Sequence, residues 1–125
     1  MKEIKTYYTG GQLQRHYYTV DGRRQGEFKW WHENGQLHIF NNYVNDLVHG
    51  ECKEWYDNGQ LNVLYHYHYN KLHGEYKLWH NDGELIRHAF WLYGKEVTDQ
   101  VDKLVTDIND ITQEERILIK LAVGC

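Results

Sequence analysis

Proline is absent from the 125 residues, and cysteine occurs twice, as Cys52 and Cys125. Without proline the chain lacks the residue that most often interrupts a strand or stops a helix. Two distant cysteines form no CxxC pair, so neither a disulfide framework nor a zinc site is indicated, and a reducing, cytoplasmic setting is expected. Long apolar runs are also missing: no ~18 consecutive apolar residues occur, and "MKEIKTYYTG" has no apolar stretch behind its lysines, so no membrane span or secretory leader is expected. Excess positive charge is lacking too. A formal charge of −4 provides no field to draw the chain onto phosphate backbones, and nucleic acid is not expected as a partner. The length suits one domain. What is abundant is aromatic: 11 Tyr and 5 Trp, a bias that favours strands.

The aromatic residues recur in register. "WWHENGQL", "EWYDNGQL" and "LWHNDGEL" start 24 residues apart. Gly11, Gly35, Gly59 and Gly83 keep this period, each followed by Gln or Glu and then by Leu13, Leu37, Leu61 or Leu85. A second series, Gly26, Gly50 and Gly74, precedes Glu27, Glu51 and Glu75, and turn pairs stand at 21–22, 45–46, 69–70 and 93–94. Two turn signals per unit leave two segments of strand length, so each unit reads as a β-hairpin. The chain then reads as mainly β: an elongated single sheet of successive antiparallel hairpins, about four units, with repeat-equivalent positions two strand spacings, about 9–10 Å, apart. By period two, Leu37, Ile39 and Tyr43 share a face, as do Leu61, Val63, Tyr65 and Tyr67. Trp31 joins Leu37 there if "HENGQ" is a three-residue loop with Gly35 left-handed in a bulge. Phe28 then has the wrong parity, which demands a second irregularity in its strand.

At Thr98 the expected glycine is lost and the apolar spacing becomes helical through Val101, Leu104, Val105 and Ile108. Thr112 and Glu115 form a capping box before Ile117, Leu118, Ile119, Leu121 and Ala122, and Gly124 is the stop. The expected organisation is therefore hairpin repeats over 1–97 and a short helical cap over 98–125, covering the end of the sheet.

The units "GEFKWWHENGQL", "GECKEWYDNGQL" and "GEYKLWHNDGEL", linked by "DLVHGE" and "NKLHGE", resemble the MORN repeat family in its 24-residue variant, known from bacterial repeat proteins and large DNA viruses of protists. The resemblance runs from about Tyr7 to Val97, with Tyr7 standing where later units have Trp31, Trp55 and Trp79. It implies a twisted single-sheet solenoid acting in protein assembly, often as a homodimer, in the cytoplasm (of the host cell, if viral). In some members it implies attachment to phospholipid membranes, and bacterial relatives bear the label antitoxin.

Nine histidines invite a metal. His66 and His68 sit at i, i+2 on one strand, and His49 and His73 are repeat-equivalent, but the latter spacing is too long for a shared ion and no cysteine or carboxylate completes a set. No metal is expected, and the histidines read as polar aromatics at solvent-facing positions. Glu27, Glu51 and Glu75 spread along the solenoid beside Lys29, Lys53 and Lys77, where acid–base catalysis needs convergence. No nucleophile motif or phosphate cradle is present. Neither catalytic residues, a cofactor nor an enzyme is expected. Trp31, Trp55, Trp79 and Trp91 with Tyr43 and Tyr67 form the candidate binding face, open between core and partner surface. The apolar helix at 117–122 reads first as a cap on the core, with a dimer contact as the competing reading, and Cys125 reads as a free tail thiol, with a dimer cross-link on oxidation as the alternative. The expected function is a non-catalytic scaffold or adaptor for a protein partner or a second copy. Lipid-surface recognition and antitoxin-like neutralisation of a partner are the alternatives the resemblance adds.

Overall fold

The computed structural model describes residues 1–100. They form one open antiparallel sheet of twelve strands: β1 (Lys2–Tyr7), β2 (Leu13–Val20), β3 (Arg23–Arg24), β4 (Gly26–Trp31), β5 (Leu37–Val44), β6 (Leu47–Val48), β7 (Gly50–Trp55), β8 (Leu61–His68), β9 (Lys71–Leu72), β10 (Gly74–Trp79), β11 (Leu85–Leu92) and β12 (Lys95–Glu96). The long strands follow in chain order, with β3, β6 and β9 pairing back onto β2, β5 and β8. A meander of this kind uses only local pairings, so no crossover is needed. A helix begins at Thr98, whose Oγ1 accepts the Phe90 N–H at 3.0 Å. The expected helical residues from 101 to 125, including Cys125, lie outside the described residues.

Two turns alternate. The pairs 21–22, 45–46, 69–70 and 93–94 have both φ angles positive, for example Asn45 at 49° and Asp46 at 69°, which matches the twist of the flanking strands. At the other end, the Gly35 N–H donates to His32 O at 3.0 Å and the His32 N–H to Gln36 O at 2.8 Å, with Gly35 at φ 89°. This is the expected bulged loop, and Gly59 and Gly83 repeat it. Gly59 has a further reason to lack a side chain: a Cβ there would come within 3.2 Å of Gln36 Oε1 from the preceding unit.

The second irregularity lies in β5, the partner strand, and not in the strand of Phe28 where it was expected. Trp30 pairs with Ile39 but Trp31 with Leu37, so the register shifts by one residue. The same shift occurs at Glu54/Trp55 and Leu78/Trp79. It corrects the period-two expectations that Leu37 shares a face with Ile39 and Tyr43, and Leu61 with Val63, Tyr65 and Tyr67, whereas Trp31 does pair with Leu37. His38 is the extra residue, its ring 5.5 Å from Trp30 and stacked at 4.0 Å on His32. Trp30 therefore joins Phe28, Ile39 and Tyr43, and Trp31 points to the opposite face by alternation along β4.

Neighbouring units are zipped at both ends. Tyr8 Oη, His32 Nε2 and Tyr56 Oη, at equivalent positions, reach the carbonyls of Trp31, Trp55 and Trp79 at 2.7, 2.9 and 2.8 Å. At the two-residue turns, the N–H groups of Asp46, Asn70 and Gly94 donate to Arg24, Val48 and Leu72 carbonyls of the unit before. Each unit thus relies on its neighbours, as expected of a quasi-one-dimensional array. A single layer buries little. Among the described residues the buried apolar side chains are Phe28, Cys52, Ala89, Phe90 and Val97, and Leu92 packs on the last two.

Candidate interaction surface

The two faces of the sheet differ in chemistry. On one, Glu27, Glu51 and Glu75 each pair with the lysine two residues on, Lys29, Lys53 and Lys77, at 3.7, 3.0 and 3.6 Å. His66 and His88 add to this comb through Glu51 and Glu75. The carboxylates are spread along the array and each has its own cation, so they form no acid–base site.

The other face is aromatic and grooved. A groove of about 1100 Å³ crosses the first two units, walled by Ile4, Tyr17, Phe28, Trp30, Ile39 and Tyr43, with Lys2, Arg15, Arg24, Asn41, Asp21 and Asp46 supplying polar groups. Tyr17 and Phe28 pack with ring centres 5.1 Å apart, and Phe28 meets the edge of Tyr43 at 5.8 Å. Arg24 lies 4.5 Å above the Tyr43 ring and binds Asp46, whose carboxyl is held below its ordinary pKa chiefly by the Arg24 backbone N–H. Arg15 Nε and Asn41 Oδ1 are shielded from water with no hydrogen-bond partner among the described residues. Further along, Glu54, Val63, Tyr65, Tyr67, Leu72 and Tyr76 line a smaller recess. There the Tyr65 hydroxyl donates to Glu54 at 3.0 Å, and burial, reinforced by Glu54, pushes its pKa up.

The six candidate aromatics are thus divided. Tyr43, Tyr67 and Trp91 belong to the groove face by register, opposite Gly26, Gly50 and Gly74. Trp31, Trp55 and Trp79 belong to the charged face, and all six are half-buried. Phe28, Trp30 and Tyr17 were not legible as groove residues, because the bulge at His38, which sets Leu37 and Trp31 on the face opposite Ile39 and Trp30, leaves no glycine or proline mark.

Some histidines also differ from the expectation of solvent-facing positions. His73 is only 5% exposed, and its Nδ1 accepts the Tyr93 N–H at 3.1 Å while the two rings lie 4.3 Å apart. His49 treats Tyr69 the same way. Gln25 does this work in the first unit, accepting the Asn45 N–H at 2.9 Å. These acceptors allow the bulky Tyr69 and Tyr93 to occupy left-handed turn positions, at φ 44° and 45°. His68 lies between His49 and His73, at 5.2 and 5.7 Å; burial, and then the proximity of His68, lower the His73 pKa. No set of ligating side chains with metal geometry is found among the described residues. Nor is any helix among them long and apolar enough to cross a membrane.

Comparison with known proteins gives one match. The sequence pattern described as MORN repeat variant fits residues 24–45, 48–69 and 72–92, three consecutive units. No curated protein and no solved structure matches the chain. With more than half its length fitted, the chain belongs to the MORN repeat variant family, whose repeats are generally non-enzymatic modules of protein or membrane interaction.

Proposed function

We propose that this chain is a non-catalytic scaffold that receives a protein partner along the groove face. The observation that carries this reading is the groove itself: Tyr17, Trp30 and Tyr43 stay half-buried on a layer over which no other described element packs. Half-covered aromatic rings beside an unpartnered guanidinium and amide are the composition of a protein-binding surface. The opposite face, with its carboxylates already paired to lysines, offers far less to gain on docking. The partner is taken to be a different protein in the cytoplasm; self-association through the same groove would show as a dimer in sedimentation.

Affinity capture with three baits tests it. The parent and a Trp31→Ala/Trp55→Ala variant should retain the same stoichiometric protein, and a Trp30→Ala/Tyr43→Ala variant of unchanged circular dichroism should lose it. Retention by the groove variant and loss by the other would move the interface to the charged face. Flotation with phosphatidylserine vesicles separates the membrane reading, and no binding is expected.

A further inference from the structure

Three guanidinium groups in the described residues stack on aromatic rings: Arg15 on Trp30, Arg24 on Tyr43 and Arg87 on Tyr76. Two of them hold a carboxylate as well, Arg24 through Asp46 and Arg87 through Glu96. Arg15 holds none. It is half-buried, lines the groove, and none of its five N–H donors is bonded by a described residue.

The repeat explains how this vacancy arose. Arg15 and Arg87 are equivalent positions, three periods apart, and so are Arg24 and Glu96. In the last unit, position 96 supplies the carboxylate that binds Arg87. In the first unit the corresponding residue is a second cation, Arg24, whose charge Asp46 takes up. Asp21, the other acid of the groove, sits in its turn and forms no pair with Arg15. A stacked, partly desolvated guanidinium gains most from a planar carboxylate that it can grip with two parallel bonds.

Resting on the reading of the groove as a protein-binding surface, we infer that Arg15 is the seat for an Asp or Glu side chain of the partner. The occupant is an acidic extended segment, with its carboxylate on Arg15 beside Trp30 and its apolar side chains against Tyr17, Phe28 and Tyr43. The groove is the specificity-determining end of the array, because the positions equivalent to Arg15 in the middle units are Ile39 and Val63.

Isothermal calorimetry tests this with blocked extended octapeptides that carry leucine and glutamate in turn at every second residue, so that both point to one face, and serine between them, beside versions with glutamine or lysine for glutamate. The glutamate peptide should bind about tenfold or more tightly than the glutamine peptide, as a charge-assisted pair requires, and the lysine peptide should not bind. Arg15→Gln should remove the preference, Arg15→Lys should keep part of it, and Arg87→Gln should leave it intact. Equal binding of glutamate and glutamine peptides, no effect of Arg15→Gln in a folded variant, or no heat from any peptide overturns the seat. So does inorganic phosphate competing as well as the peptide, which would mark a general anion site, or Arg15-dependent binding of phosphatidylserine vesicles. The groove reading fails separately: Arg15→Gln bait that still captures the partner, where Trp30→Ala/Tyr43→Ala bait does not, refutes the carboxylate seat alone.

Discussion

Asn58 belongs to its own turn through one atom and to the next unit through another. Its Oδ1 accepts the Gln60 N–H at 2.9 Å, and its Nδ2 donates to Asn81 O at 2.9 Å. Asn34 does the same one unit earlier, to Gln36 N–H and Asp57 O. The third equivalent is Asp82, which accepts the Glu84 N–H at 2.9 Å and stands where no further hairpin unit follows among the described residues. The amide is used where there is a neighbour to bond, and the acid where there is none. Asn58→Asp therefore keeps the local acceptor and deletes only the bond between units. One exposed neutral bond contributes about 0.5–1.5 kcal/mol, so the loss should be near 1 kcal/mol, or about 4 °C in Tm for a domain of this size. Asn58→Ala removes both bonds and should cost about twice as much. Asp82→Asn has no carbonyl to find and should be close to neutral. Urea unfolding of the three variants, repeated at high salt to screen the new charge of Asn58→Asp, gives the comparison. A stability of Asn58→Asp indistinguishable from the parent, or an Asp82→Asn effect as large, would refute zipping between units by these side chains.

Other consequences can be measured on the same protein. Burial, and then the neighbouring His68, lower the His73 pKa below the ordinary 6.5, so the neutral ring is favoured on folding. Its contribution is present above that value and is lost as pH falls from there toward the folded pKa, because the unfolded chain then binds more protons. His73→Gln, which installs the acceptor that Gln25 provides in the first unit, should reduce the fall in Tm on acidification; an unaltered pH profile would show that the ring does not couple to stability. Gly35→Ala and Gly59→Ala both force a side chain onto positive φ, at a cost of about 1–2 kcal/mol each. Gly59→Ala should cost more because its Cβ also meets Gln36, and chemical denaturation showing the reverse order would contradict the packing. Tyr65 should remain protonated well above the ordinary tyrosine value of 10.0, held up by burial and then by Glu54. In ultraviolet titration Glu54→Gln should bring one phenol back toward ordinary behaviour, and no change would place the cause elsewhere.

The period of 24, set by Gly11, Gly35, Gly59 and Gly83, was enough to read the hairpin array, because turns with positive φ restrict residue choice more than any strand position does. The bulge at Gly35 was legible for the same reason. The face assignment was not. The shift between Trp30 and Trp31 occurs inside a strand among residues of ordinary conformation, and a one-residue slip exchanges the faces of everything beyond it. That slip moved Trp30 into the groove and took Trp31, Trp55 and Trp79 out of it. The lysine partners of Glu27, Glu51 and Glu75 were readable because i, i+2 on a strand is a same-face relation. The roles of His49 and His73 were hidden because each acts on the turn of its own unit 20 residues later, a contact that no local pattern marks.

The claim on which the account most depends is that the partner sits on the groove face. Photocrosslinking in extracts of the native cell, with benzoylphenylalanine at Tyr43 in one sample and at Lys29 in another, reads the face directly. The account predicts a single discrete adduct from position 43, with its crosslinked peptide rich in Asp or Glu, and none from position 29. Adducts from position 29 alone would contradict it and assign the interaction to the charged face.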